Sequence, residues 1–193
     1  MSAGMMDSAS AANKPSRTEF TSEQLAIVTQ AVGIAEELVS NHYKMSASQW
    51  LRPKYDVKTL SDLEPTEIVD GPFAQIIRYQ GQPRSASLSS AAYDFYKICL
   101  QDHAILAALR QNPGLQPLPF VLYIITHELI HIVRFSKFLQ GFDASAEERL
   151  AEEQRVHGRT HDILLGLRMP GLPDVLDFYS DWRRVYEQLD YHP

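Results

Sequence analysis

The sequence lacks most features of secreted, membrane-spanning and nucleic-acid-binding proteins. Its 193 residues include one cysteine, Cys99, which excludes an internal disulfide framework and fits a reducing, cytoplasmic compartment. The net charge is −6, and no basic stripe interleaved with aromatics occurs, which argues against nucleic acid as a partner. Residues 1–17 are rich in Ser, Ala and Met without the long apolar stretch of a signal peptide, so we expect a disordered tail there.

The remaining residues, 18–193, have the composition of one globular domain. Hydrophobic residues make up 45% of the chain and charged residues 22%, and no internal repeat is visible. Thr21 has the character of a helix N-cap. Helices are predicted over residues 21–45, 91–111 and 173–189, and Cys99 falls in the core of the second.

A small β-hairpin is predicted between the first two of these helices. Residues 67–79, especially 73–79, are rich in β-branched and aromatic residues and predict a strand. Gly81-Gln-Pro predicts a turn, and residues 85–89 a return strand. Together with the helices, this order predicts a mostly helical α+β fold.

The most informative feature is the pentapeptide His127-Glu128-Leu-Ile-His131. On a helix, two His four residues apart share one face and can bind the same zinc ion at about 2.0–2.1 Å, with the Glu placed to take a proton from a water molecule there. Residues 119–139 are apolar on every side, so we expect a buried central helix. The apolar run before Thr126 is far shorter than the roughly 18 residues of a membrane helix. Buried imidazoles need partners; a metal satisfies both, and bonds to nearby carbonyls are the alternative.

A zinc site needs a third protein ligand, and the next predicted helix offers candidates. Ser145 and Glu148 predict a capping box at its start. Glu153 falls inside the apolar arc of this helix, where a carboxylate is unusual unless it is paired or bound to a metal, so it is the first candidate. The open alternatives, as ligands or as supporting residues, are Glu152, His157 and His161.

These residues resemble the gluzincin branch of the zincin metallopeptidases, in which two His and a downstream helical Glu bind zinc. The resemblance covers about 35 residues and implies a zincin-like domain with Zn²⁺ as cofactor, Glu128 as general base and a peptide or protein as substrate. The gluzincin pattern has Asp or Ala four residues after the ligand Glu, where this chain has His157.

Two other zincin branches do not fit. The metzincin extension has Gly three residues and His six residues after the second motif His, and this chain has Arg134 and Lys137. The aspzincin signature Gly-Thr-x-Asp is missing around Asp143.

The resemblance also suggests where a substrate lies. In zincins a strand edge beside the motif helix receives the substrate backbone, and residues 73–79 are the candidate; the alternative is a hairpin that only covers the core. Arg134 is interpreted as the partner of a buried acid, with a substrate-carboxylate role as the alternative. Candidates for stabilising the oxyanion are Tyr179, Arg183 and Tyr186.

The leading interpretation is a zinc-dependent hydrolase, and specifically a metallopeptidase. One alternative is a helical di-iron carboxylate protein that uses Glu128 with His131 and takes Glu36 or Glu37 from the first helix. Such bundles need a second Glu-x-x-His pair, whereas Glu153 and His157 are four residues apart. A non-enzymatic metal-binding module on a zincin scaffold is the second alternative.

Overall fold

The computed structural model describes residues 17–46, 54–81, 93–137 and 145–181. Five α-helices, two short 3₁₀ helices (Leu60–Asp62 and Pro65–Glu67) and three strands lie in these ranges, and the mostly helical α+β class is confirmed. The α-helices and strands are labelled as follows. In chain order they are α1 (Ser22–His42), β1 (Lys54–Lys58), β2 (Ala74–Gly81), β3 (Tyr93–Leu100), α2 (Asp102–Gln111), α3 (Pro117–Ser136), α4 (Ala146–Leu165) and α5 (Leu172–Phe178).

Helix α3, which carries the pentapeptide, is the centre of the fold. It packs against α1, α4 and α5 and touches β2. From Pro119 to Arg134, every residue is buried except Glu128, because the neighbouring elements cover all other sides. The helix is long and apolar enough to cross a membrane by length and composition, but 83% of that stretch is buried inside the protein, as in the core helix of a globular fold.

Helix α1 begins as its sequence predicts. The Thr21 side chain accepts a hydrogen bond from the Gln24 backbone N–H, and Gln24 Oε1 accepts one from the Thr21 backbone N–H. The helix ends at His42, slightly before the predicted end at Met45. Its buried face packs on α3 and consists of Val28, Ala31, Ala35 and Val39.

The three strands form one sheet in the order β1-β3-β2. Strand β3 pairs in parallel with β1 and antiparallel with β2. The predicted helix over 91–111 is therefore wrong for Tyr93–Leu100, because pairing on both sides stabilises an extended conformation there. Cys99 is buried, as expected, but in this central strand. The predicted return strand at 85–89 lies outside the described residues.

Helix α4 supplies the second half of the candidate site. The Ser145 side chain accepts a hydrogen bond from the Glu148 backbone N–H, and the Glu148 carboxylate accepts one from the Ser145 N–H, so the predicted capping box is confirmed. The helix ends at Leu165. The predicted tail at 1–17 lies outside the described residues except for Arg17. The predicted helix over 173–189 is confirmed in its first part by α5, which ends at Phe178, and residues 182–189 lie outside the described residues.

Candidate metal centre

Three side chains from α3 and α4 converge on one point. Nε2 of His127 and Nε2 of His131 are 3.1 Å apart. The Glu153 carboxylate places Oε2 at 3.1 Å from the first and Oε1 at 3.2 Å from the second. Ligands about 2.0–2.1 Å from a tetrahedral zinc ion are separated by about 3.3 Å, so the observed spacing fits such a site.

The donor set also fits zinc chemically. Two imidazoles and a carboxylate are common protein ligands of catalytic zinc, and such sites keep a fourth position open. Two Nε2 atoms that face each other cannot both act as acceptors without a shared cation or proton between them. Among the described residues, His127 Nδ1 is buried and has no hydrogen-bond partner, so its ring is held by packing and by its Nε2 contacts.

Helical geometry accounts for this convergence. His127 and His131 are one turn apart on α3 and therefore share a face, and Glu153 lies on the arc of α4 that meets this face. Burial alone would raise the pKa of the Glu153 carboxyl, but hydrogen bonds with the two imidazoles outweigh that effect and hold the pKa well below its usual range. The carboxylate is thus ionised at neutral pH, as a metal ligand must be.

The reason for choosing Glu153 from the sequence was wrong, although the structure brings it to both histidines. Its side chain is 44% exposed, since a cavity opens above it. The buried acid of α4 is Glu152, which is 4% exposed. The position of Glu153 around the helix was therefore predicted correctly, whereas the expectation that its carboxylate is fully buried was wrong.

Glu152 faces away from the two histidines and has a different set of partners. Arg134 Nη2 donates a hydrogen bond to Glu152 Oε2 at 3.1 Å, and Arg134 Nε donates to the other oxygen. Arg155, one turn along α4, donates to the same carboxylate. The expected pairing of Arg134 with a buried acid is thus present, and the pair joins α3 to α4 beneath the site.

Glu128 borders the cavity beside the three converging side chains. Desolvation by the surrounding atoms raises the pKa of its carboxyl, the two motif imidazoles oppose this rise, and the negative Glu153 adds to it. A carboxyl with a raised pKa holds a proton more readily than an ordinary Glu, which suits a group that must both accept and release one.

An aromatic group adjoins the histidines. The rings of Tyr123 and Tyr179 stack with centroids 3.9 Å apart, and Tyr123 Oη and His157 Nδ1 are joined by a 2.9 Å hydrogen bond. The His157 ring lies 4.3 Å from that of His127, centroid to centroid. His157 therefore links Tyr123 to the ring of His127 and helps to hold that ring in place. Burial, with smaller contributions from Tyr123 and Glu128, raises the pKa of Tyr179 well above its ordinary value.

These groups line a cavity of about 670 Å³. One wall is the segment Gly71–Ile76, which includes the start of the edge strand β2, as the strand-edge hypothesis requires. Gln101 N–H donates to the Phe73 carbonyl at 2.8 Å. Because hydrogen-bonded and non-bonded pairs alternate in antiparallel sheets, the backbone groups of Ala74 and Ile76 point away from β3, towards the side of β2 that has no partner strand among the described residues.

Several other candidates lie away from this cavity. His161 is not among its lining residues and sits 3.8 Å from Asp162. Glu36 accepts a hydrogen bond from Tyr55, and Glu37 is exposed, so neither joins the cluster that the di-iron alternative needs. Within the described ranges no second group of three or more potential ligands occurs. Of the oxyanion candidates, Tyr179 lines the cavity, whereas positions 183 and 186 lie outside the described residues.

Among the polar side chains that line the cavity, sequence reasoning missed Tyr123 and Arg149. Each lies four residues before a converging residue, His127 and Glu153 respectively. Because residues at i and i+4 share a helix face, the same spacing that identified the motif predicts both positions. That signal was present in the sequence.

Comparison of the chain with protein-family models, curated proteins and solved structures gave no significant match. The functional interpretation therefore depends on the geometry of the site and on the motif resemblance.

Proposed function

We propose that this protein is a zinc-dependent hydrolase that cleaves peptide bonds. The observation that carries the proposal is the convergence of His127, His131 and Glu153 beside Glu128 in a cavity bordered by a strand edge. The first three residues would hold zinc, and their atoms are spaced for a tetrahedral ion. Zinc bound there would supply Lewis-acid chemistry, polarising a carbonyl and lowering the pKa of a water molecule from 15.7 towards about 7.

Glu128 supplies the proton transfers in this proposal. Its carboxylate accepts a proton from the attacking water and then delivers that proton to the leaving amine. It is the one residue between Pro119 and Arg134 that is not buried, and it lines the cavity, so it combines a rigid helical position with access to substrate. The raised pKa of its carboxyl supports this double role.

Tyr179 is the best-placed described donor to the developing oxyanion among the candidates named from sequence. Its raised pKa keeps the phenol protonated at neutral pH, so the O–H group remains able to donate a hydrogen bond. The stacked Tyr123 ring holds it from one face, and the packing of both rings restricts their motion.

The edge of β2 would hold the substrate backbone. The outward N–H and C=O groups of Ala74 and Ile76 can pair with an extended peptide, which then lies along the wall of the cavity. This arrangement favours a peptide over a small compact substrate, because a peptide supplies the matching row of backbone groups.

Metal analysis tests the proposed site. The purified protein is expected to contain about one zinc ion per chain, and His131→Ala to reduce that content to near zero, since two ligands hold zinc poorly. His161→Ala is the matched control, a His on α4 outside the cavity, and should keep the metal. Two irons per chain would favour the di-iron alternative, and a wild-type protein that takes up no metal would exclude the proposed chemistry.

A proline substitution tests the role of the strand edge. Ile76→Pro removes the outward N–H, and an edge strand tolerates proline at such a position. Loss of one backbone hydrogen bond worth about 0.5–1.5 kcal/mol should raise KM for a peptide about two- to tenfold with little change in zinc content. Arg78→Pro, at the next outward position and beyond the cavity, is the control. Equal KM values for the wild type and Ile76→Pro would contradict strand addition.

A further inference from the structure

Arg149 stands at the rim of the cavity, one helical turn before Glu153. It is exposed, and no other Lys or Arg occurs among the described residues that line the cavity. Arg149 therefore borders the space that a bound peptide would occupy.

The acids around Arg149 on α4 are engaged elsewhere. Glu153, four residues on, contacts the two motif imidazoles. Glu152, three residues on, is bound by Arg134 and Arg155. Glu148 accepts the backbone N–H of the helix cap. Among the described residues, Arg149 consequently makes no ion pair, although it sits on a helix rich in carboxylates.

Part of the cavity wall is apolar, and its side chains include Phe73, Ile76, Ile124 and Phe135. The acids among the described lining residues are Glu128 and Glu153. A ligand that reaches from this wall to the rim meets apolar surface first and then one planar cation, which suits a carboxylate because guanidinium can bind both of its oxygens.

We propose that Arg149 is a specificity-determining residue that binds a carboxylate of the peptide substrate. This inference rests on the proposed function. The carboxylate belongs to the chain terminus or to an Asp or Glu side chain, and both present the same chemistry to the guanidinium. Peptides that carry a carboxylate at the right distance from the cleaved bond are then selected over neutral ones.

Peptide retention on immobilised protein tests this role. The zinc-loaded variant E128Q, which should bind peptides without cleaving them, is compared with E128Q/R149Q and E128Q/R159Q. Arg159 is the matched control, because it is exposed on the same helix and does not line the cavity. The probes are three pools of N-acetylated hexapeptides randomised over uncharged amino acids: one with a C-terminal amide, one with a free C-terminal carboxylate, and one amidated with a single glutamate.

One or both carboxylate pools should be retained about five- to tenfold better by E128Q and E128Q/R159Q than by E128Q/R149Q, as the loss of a charge-assisted hydrogen bond predicts. The neutral pool should be retained equally by all three proteins. The pool that responds identifies the source of the carboxylate. Because every protein carries the same zinc site, direct binding of a carboxylate to zinc does not imitate this difference.

The inference is overturned if E128Q/R149Q retains the carboxylate pools as well as E128Q does. It is also overturned if R149Q lowers the retention of all three pools equally, or if E128Q retains none of them. Hydrolysis of the same pools by the protein with Glu128 intact is measured in parallel. Carboxylate-dependent retention without any hydrolysis would contradict the proposed function and leave the role of Arg149 standing. Hydrolysis of all pools at rates that R149Q does not change would support the proposed function and contradict the role of Arg149.

Discussion

Glu128→Gln is expected to lower hydrolysis by about two to four orders of magnitude while the zinc content stays at the wild-type level. The amide keeps the size of the side chain, and the three converging ligand residues are untouched, but the group that accepts the proton is lost. Turnover is measured on a peptide pool that the wild type cleaves, and zinc is measured on the same samples.

Glu147→Gln is the matched control, because this glutamate is exposed in the first turn of α4 and does not line the cavity. Unchanged turnover in Glu128→Gln would reject the assignment of the base. A wild-type protein that binds zinc but cleaves no peptide would instead support the non-enzymatic metal-binding alternative.

The second large effect is expected when Glu152 and Glu153, two neighbouring glutamates with different roles, are each replaced by alanine. Glu152→Ala leaves Arg134 buried without its carboxylate, and breaking such a pair costs about 3–5 kcal/mol of unfolding free energy. Zinc should nevertheless remain bound, since no ligand is removed. Glu153→Ala should lose zinc and change the stability of the metal-free protein less, because its side chain is half exposed.

Urea unfolding of the metal-free proteins and zinc analysis of the loaded proteins separate the two roles. Where Glu152→Ala unfolds the protein altogether, Glu152→Gln keeps part of the hydrogen bonding and allows the zinc measurement. Zinc loss in the 152 variants with full zinc in Glu153→Ala would transfer the ligand role to Glu152.

Local signals predicted the parts of the fold that local interactions determine. The caps at Thr21 and Ser145 depend on residues three positions apart, and both form as expected. The apolar surroundings of the motif predicted a buried helix, and α3 is buried along nearly its whole length. No long-range information was needed for these elements.

The sheet shows where this reasoning fails. Tyr93–Leu100 was assigned to a helix because its apolar residues run into the helical pattern that follows, yet it pairs on both sides with distant segments. The short, charged strand Lys54–Lys58 was missed, because its stability comes from pairing with β3 and not from its own composition. The parallel pairing with β1 is not visible within a local window.

The candidate site also has residues that local spacing predicts and a part that it does not. His127, Glu128, His131 and Glu153 could be predicted, since they follow from helical spacing on two consecutive helices. The cavity wall at Gly71–Ile76 could be indicated only through the family resemblance, because its position depends on the chain crossing from the sheet to α3.

The two edges of the sheet differ in a way that bears on self-association. The β1 edge carries Asp56 and Lys58, which form an ion pair and place charge where another strand would have to dock. The stretch of the β2 edge beside the cavity carries Ala74 and Ile76 instead. Unpaired edges without charge are the usual starting points of intermolecular strand pairing. Among the described residues, no strand covers the edge that the proposed chemistry needs, so the same uncharged edge that could receive a substrate is also the one at which two copies of the chain could pair.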